Sequence, residues 1–268
     1  MIDWSIAATV SLVLVAVFGL PALSDRVAPR IPLSVERRLG DAVDTQVRAM
    51  LDTGRSEKPL ECGAADAEKP GRAALEALIG RLEAAASLPI PFKTAVVRRR
   101  EANAIALPGG HIYVFEGLVT QSRGPGELAG VIAHEIGHVA HRDGTRSLLQ
   151  AAGLSFLFGM LLGDFTGGGL VVIAAKTVVQ SAYSREAESY ADLYGVNLMA
   201  KAGGDPRALG AILKRIAGAS DPGLTLLRDH PATKERVAAI DAMAAGLVTP
   251  FRPMLSPPEW AALQKICG

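Results

Sequence analysis

Apolar residues come in three arrangements along the chain: one continuous run at the start, several stretches at three- and four-residue spacing, and one short region of alternation near the middle. The continuous run, Trp4 to Leu20, carries no charged side chain. It stands at the short end of the roughly 17 to 25 residues that span a bilayer, with Trp4 expected at the interface. A cleaved signal peptide is the rival reading, and Ala22-Leu23-Ser24 is a passable cleavage site. No Lys or Arg precedes the run, however, and a basic leading region is the usual mark of a signal. An uncleaved anchor over residues 1–24 is therefore the expectation. Prolines and charges between Pro21 and Pro32 read as a juxtamembrane linker. Val35, Leu39, Ala42, Val43, Val47 and Met50 then predict an amphipathic helix over Ser34 to Leu51. A polar loop over 52–70 precedes a second helix from Gly71 to Leu88, stopped by Pro89 and Pro91.

From Phe92 the pattern becomes strand-like. Thr94 to Val97, Ala104 to Leu107 and, after the Pro108-Gly109-Gly110 turn, His111 to Phe115 predict a small sheet. An edge of that sheet could pair with an extended peptide, or the hairpin could be purely structural. Helical spacing returns with Leu128, Val131, Ile132, Ile136 and Val139, a stripe that would bury one face and leave the opposite face toward a cleft. Beyond Asp143-Gly144 lie two apolar arms, Leu148 to Met160 and Leu170 to Val179, separated by Gly163 to Gly169. Each is short for a membrane crossing. They predict a helical hairpin, either packed on the core or dipping into the membrane surface. Asp205-Pro206 opens a helix through Ala217, another follows Pro231, and Ser256-Pro257-Pro258-Glu259 is a capping box for the last. No 34-residue helical repeat follows Asp205. The fold class expected is α+β, mainly helical, with a small β-sheet beside one central helix.

Composition adds three points. The 268 residues allow one larger domain or two small ones, and a net charge of +1 gives no reason to expect a nucleic-acid partner. A hydrophobic fraction of 49% with positive mean hydropathy exceeds what a purely soluble enzyme needs. The 2 cysteines, Cys62 in a loop and Cys267 next to the last residue, suit one disulfide in an oxidising compartment, with two free thiols as the alternative. Arg26, Arg30, Arg37 and Arg38 follow the apolar run, and the positive-inside rule would place the rest of the chain in the cytoplasm. The two signals conflict. The expectation adopted is the extracytoplasmic, periplasm-facing side, because those arginines lie on a linker and a helix that have other uses for them.

The candidate chemistry sits in the central helix, as His134-Glu135-Ile136-Gly137-His138. Residues four apart on a helix lie about 40° apart around the axis and roughly 6 Å along it, so both imidazoles can address one ion. Neutral imidazole suits zinc, and a catalytic zinc takes three protein ligands, leaving one position to water. Glu135, beside the ion and not on it, is placed to take that water's proton. Clustering of three of the chain's 5 histidines here argues against chance. The third ligand lies elsewhere: Gly144 stands where a longer version of the motif has its last histidine. His141, one turn past His138, reads as a surface or supporting residue. Glu188 is the candidate, paired at four-residue spacing with Asp192, so that one carboxylate can bind metal while the other orients a ligand histidine.

His134-Glu135-Ile136-Gly137-His138, followed by Ser184-Arg185-x-x-Glu188-x-x-Ala191-Asp192, resembles the membrane-associated gluzincin metalloendopeptidases related to HtpX, BepA, the mitochondrial Oma protease and the CAAX prenyl protease. Asn103 to Gly110 before the helix, and His230-Pro231 with Arg236 after it, extend the resemblance over roughly residues 70 to 245. It implies a zincin-like domain with one Zn2+ on His134, His138 and Glu188, general base Glu135, Asp192 orienting a ligand histidine, and His230 close to the metal. His230 would polarise the substrate carbonyl, occupy the open zinc position, or simply cap the next helix. The division expected is an anchor (1–24), a linker with amphipathic helix (25–70), a zinc metallopeptidase domain (71–245) and a C-terminal helical tail (246–268). The function expected is hydrolysis of peptide bonds in unfolded or misassembled proteins. A non-proteolytic chaperone or scaffold is the alternative, against which Glu135 weighs. Prenyl-protein processing is disfavoured, since it would want several long membrane helices.

Overall fold

The fold is described from a computed structural model covering residues 2–52, 54, 58–162, 183–217, 230, 234–247 and 250–268. The apolar run is helical throughout. Helix α1 (Ile2–Leu14) passes through a π turn (Val15–Gly19) into α2 (Leu20–Val27) and a 3-10 turn (Ala28–Arg30). Helix therefore continues past Pro21, where a linker was expected. Pro21 falls directly after the π turn, whose Leu20 N–H reaches back to the Val15 carbonyl, and such a widened turn is where a helix accommodates a proline. Ile6, Val10, Val13, Phe18 and Leu23 stay exposed. Among the described residues this is the one helix long and apolar enough to cross a membrane, over Ile6–Arg30. The Trp4 side chain lies outside the description.

Strands β1 (Lys93–Val97), β2 (Ala104–Ala106) and β3 (His111–Phe115) form one sheet in the order β1-β3-β2. β1 runs parallel to β3 and β2 antiparallel, with Val96 opposite Val114 and Ile105 opposite Tyr113. The period of two sorts the side chains cleanly. Val97, Ile105, Leu107, Tyr113 and Phe115 face helix α3 (Leu33–Leu51), which contributes Val43, Val47 and Leu51. Val96, Ala104, Ala106, Ile112 and Val114 face the main core. Gly109 and Gly110, at φ 76° and 88°, turn the chain between β2 and β3 in a conformation that favours glycine. α3 lies so close that a Cβ on Gly40 would stand 2.1 Å from the Pro108 carbonyl oxygen. β2 is the sheet edge beside the central helix. Asn103 and Leu107 direct backbone bonds to Phe115 and His111 on β3, so the backbone groups of Ala104 and Ala106 point the other way.

The main core is built from α4 (Lys69–Ala86), α5 (Glu116–Gln121), α6 (Pro125–His141), α8 (Arg185–Lys201), α9 (Arg207–Ala217), α10 (Lys234–Ala245) and α11 (Pro257–Leu263). These supply Leu78, Leu82, Ile132, Ile136, Met199, Ile212, Ile240 and Leu263, all at or near zero exposure. α11 docks on α4 at Gly71, where a Cβ would meet the Ala262 carbonyl oxygen at 2.7 Å. Glu259 accepts from the Ser256 backbone N–H at 2.7 Å, the reciprocal half of the capping box. Cys62 and Cys267 are joined by a disulfide across a separation of 205 residues. The bridge ties the C-terminus to the loop that pairs with β1 through Glu61 and Val97.

Helix α7 (Asp143–Leu162) begins beside α6 and then runs antiparallel along α2. Arg146 pairs with Asp25 at 3.0 Å, Gln150 donates to Ser24 at 2.9 Å, and a Cβ on Gly153 would meet the Leu20 side chain at 2.5 Å. The first apolar arm thus leaves the core and accompanies the N-terminal apolar helix. The second arm, Leu170 to Val179, lies outside the described residues.

Candidate metal centre

α6 opens with Pro125 in its first turn, where a missing N–H is harmless, and ends at Arg142 in the left-handed conformation at φ 58°. It is not the half-exposed helix that its apolar stripe suggested. Every residue from Leu128 to Val139 is buried, including His134, Glu135 and His138. The polar face has been covered by a second polar face, that of α8. Ser184 caps α8 by accepting from the Ala187 N–H at 3.2 Å, so Glu188 and Asp192 project from its first two turns. The helices can meet because both carry glycine at the crossing. A Cβ on Gly137 would stand 2.8 Å from the Ala191 Cα, and one on Gly195 3.0 Å from the His134 backbone nitrogen.

The structure brings together His134, Glu135, His138, Glu188, Asp192 and His230. His134 Nε2 and His138 Nε2 are 3.1 Å apart. Each lies 3.6 Å from an oxygen of Glu188. Behind the rings, His134 Nδ1 stands 3.0 Å from Asp192 Oδ1 and His138 Nδ1 2.8 Å from Asp143 Oδ2. Arg236 forks onto Asp192 at 2.7 and 2.8 Å and reaches Glu188 Oε2 at 2.6 Å. His230 Nδ1 is 2.8 Å from Glu188 Oε1 and 3.3 Å from His134 Nε2, while its Nε2 is 3.5 Å from Glu135 Oε1.

Charge in this cluster follows from its partners. Burial alone would raise Asp192, but Arg236 and His134 outweigh it and hold the carboxyl at about 2. Glu188 is likewise brought to about 2, against burial, by His230 and the other two imidazoles. Burial pushes His138 down, so the ring is neutral. With its Nδ1 proton directed at Asp143, its Nε2 carries a lone pair. Burial opposes charge on His230 too, yet Glu135 and Glu188 raise it to about 9.

These residues fit a metal ion. Ligand atoms about 2.0 to 2.2 Å from one tetrahedral ion stand about 3.3 to 3.6 Å from one another. The separations among His134, His138 and Glu188 fall around that range, and the donor atoms of these three and His230 all lie within 4.8 Å of one another. Both oxygens of buried Glu135 lack a hydrogen-bond partner, as expected for a carboxylate kept for a reactant. His141 stays outside the cluster. It contacts Asp143 Oδ1 at 2.7 Å and stacks on Tyr190 at 4.3 Å. Three residues at the site were given no role from the sequence. Asp143 was named only as the point beyond which the apolar arms begin, Arg236 was noted without a task, and Tyr183, stacked on His138 at 4.1 Å, was passed over.

A buried His-Glu-x-x-His helix crossed by a Glu/Asp helix beside a small sheet is the framework of zincin-like metallopeptidases. The profile of peptidase family M48 matches residues 72–244, and the chain belongs to that family. It is 26% identical over 218 residues to the mitochondrial metalloendopeptidase OMA1 of Schizosaccharomyces pombe, covering 79% of this chain and 65% of the relative. It is 31% identical over 148 residues to the OMA1 of Arabidopsis thaliana, covering 55% of this chain and 30% of the relative. The beta-barrel assembly-enhancing protease of Escherichia coli K12 is 28% identical over 178 residues, 57% of this chain and 34% of the relative. The chain thus spans between about a third and two thirds of the length of these curated relatives.

Proposed function

We propose that this chain is a zinc-dependent metalloendopeptidase that cleaves unfolded or misassembled proteins at a membrane. The observation that carries the proposal is the convergence of His134, His138 and Glu188 donor atoms beside a buried Glu135 whose oxygens make no hydrogen bond. Two imidazoles and one carboxylate make a donor set that suits zinc, whose bound form supplies Lewis acidity toward water and a peptide carbonyl. In this reading Glu135 takes the proton of the attacking water and returns it to the leaving amine. Asp192, backed by Arg236, holds the His134 ring in place. The outward backbone groups of Ala106 and the Ala104 carbonyl on β2 would pair with an extended substrate, the Ala104 N–H being taken by Asn103 Oδ1 at 2.9 Å, which gives recognition with little demand on side chains.

The role of His230 follows from its place among the donor atoms. Its Nδ1 is 3.3 Å from His134 Nε2, the spacing of two ligands of one ion, and hydrogen-bonds Glu188 Oε1 at 2.8 Å, a bond that coordination would replace; the first distance supports occupation of the open position in a latent enzyme. His230→Ala then raises peptide cleavage. A fall in cleavage would assign His230 to the substrate carbonyl.

The proposed setting is membrane or envelope protein quality control, supported by the names of the relatives and by the exposed N-terminal helix. α7 would enter the bilayer beside that anchor. The disulfide supports an extracytoplasmic catalytic domain. Two reactive thiols in the native protein before reduction would defeat that placement. The function itself is tested with full-length protein in detergent and casein as substrate. Cleavage should stop with a chelator and with Glu135→Gln, which keeps its zinc, whereas Glu188→Ala should lose zinc as His134→Ala does. Full cleavage by Glu135→Gln would refute the mechanism. The scaffold alternative finds no support among the relatives.

A further inference from the structure

His134 and His138 are each held at the far ring nitrogen by an aspartate, but the two aspartates come from different places. Asp192 stands on the helix across the site. Asp143 is the first residue of α7, and it reaches back to His138 because Arg142 ends α6 in a left-handed conformation. Asp143 is 3% exposed, with Oδ2 at 2.8 Å from His138 Nδ1 and Oδ1 at 2.7 Å from His141 Nδ1. A non-glycine residue is disfavoured in that conformation and persists where its surroundings hold it. The juxtamembrane segment holds Arg142 there. Arg142 donates to the Ala28 and Ile31 carbonyls at 2.7 and 2.8 Å and pairs with buried Glu36 at 3.2 Å, while Thr145 donates to Glu36 at 2.9 Å. One turn on, Arg146 bridges Asp143 at 3.6 Å and Asp25 at 3.0 Å.

We propose that Asp143 is the positioning residue of His138, held in place by the turn that the juxtamembrane segment clamps. By accepting the Nδ1–H it selects the tautomer whose Nε2 lone pair faces the metal, and it stops the ring from turning away. Asp143 acts through His138 alone. The inference rests on His138 being a metal ligand, the reading proposed above.

Zinc affinity, measured on the full chain in detergent by competition with a chromophoric chelator, tests it, together with the visible absorption spectrum of the Co2+-substituted protein. Asp143→Ala should weaken zinc about 10 to 100-fold and alter the cobalt spectrum. Asp143→Asn keeps a neutral acceptor at the same position and should recover part of the loss, because a charged acceptor bonds about twice as strongly as a neutral one. A residue that only supports the fold would lower the melting temperature in both variants and leave affinity and spectrum unmoved. Affinity within about twofold of the parent with an unchanged cobalt spectrum overturns the proposal. Should Asp143→Ala fail to fold, the Asn variant decides by the same two readouts, a several-fold loss supporting it and none refuting it. His138→Ala is the separate control. If it binds zinc as tightly as the parent, the ligand assignment fails and this inference with it, whatever the Asp143 variants do.

Discussion

Of the helix pairs closed by glycine in this protein, two are used in opposite ways. At the α6/α8 crossing, Gly137 and Gly195 let two polar faces meet, and what they enclose is a cluster of carboxylates and imidazoles with almost no exposure. Along α2/α7, Gly153 lets an apolar arm lie against the N-terminal helix, and the faces turned outward remain apolar, with Phe18 at 66% and Leu154 at 37% exposure. Burial of the first kind is unfavourable unless each group finds a partner. The second kind demands only an apolar surrounding, which a bilayer supplies. Hydrophobicity alone therefore does not tell which apolar-rich helix ends inside the protein. The partners of its polar positions do.

The comparison is most directly broken at Arg236. In the metal-free chain it is the cation that forks onto Asp192 and reaches Glu188. Arg236→Leu should cost about 3 to 5 kcal/mol in denaturant unfolding, the effect of leaving buried charge uncompensated. A loss below about 1 kcal/mol would mean that the α6/α8 interface does not depend on pairing. Gly137→Ala attacks the same interface sterically, because the new methyl meets the Ala191 backbone and not a side-chain tip that can move. Its expected cost is about 1 to 3 kcal/mol, accompanied by weaker zinc binding in the chelator assay.

Acid titration sharpens the same contrast. Asp192, held at about 2 in the folded chain against an ordinary 3.8, contributes stability that is fully present above pH 4 or so. As pH falls through about 2, roughly 2 kcal/mol is lost. Denaturant midpoints of the metal-free protein across that window should show the limb; Glu188, also held at about 2, contributes to it, so Asp192→Asn should shrink it and leave the Glu188 part. The smallest effect belongs to α2/α7. Gly153→Ala meets only the end of the Leu20 side chain, which can rotate, so a change under about 1 kcal/mol is expected in detergent. Equal losses for Gly137→Ala and Gly153→Ala would erase the distinction between the pairs.

Much of this architecture was legible before any coordinates. The runs Thr94 to Val97, Ala104 to Leu107 and His111 to Phe115 were readable as the three strands of a small sheet, because β-branched and aromatic residues between turn signals mark strands locally. The His134/His138 pair was readable for an equally local reason, the four-residue return of a helix. Glu188 stood out only by its pairing with Asp192 and by family resemblance. Pro21 misled, because its cost depends on whether a donor is missed there, and the π turn before it removes the need.

What the sequence by itself determined is whatever one backbone period or one short motif can encode: the N-terminal apolar helix, the three strands, the central helix and its two histidines. Only the tertiary structure decided that the polar face of α6 would be buried and not open to a cleft, that Arg236 would bind two carboxylates at once, and that Asp143 would turn back onto His138. The physical reason is that a buried polar group is stable only beside its partner, and that partner is chosen by helix crossing and chain reversal. In this chain those are set by close contacts at Gly137 and Gly195 and by a left-handed Arg142 clamped from the juxtamembrane segment, none of which leaves a local pattern in the sequence.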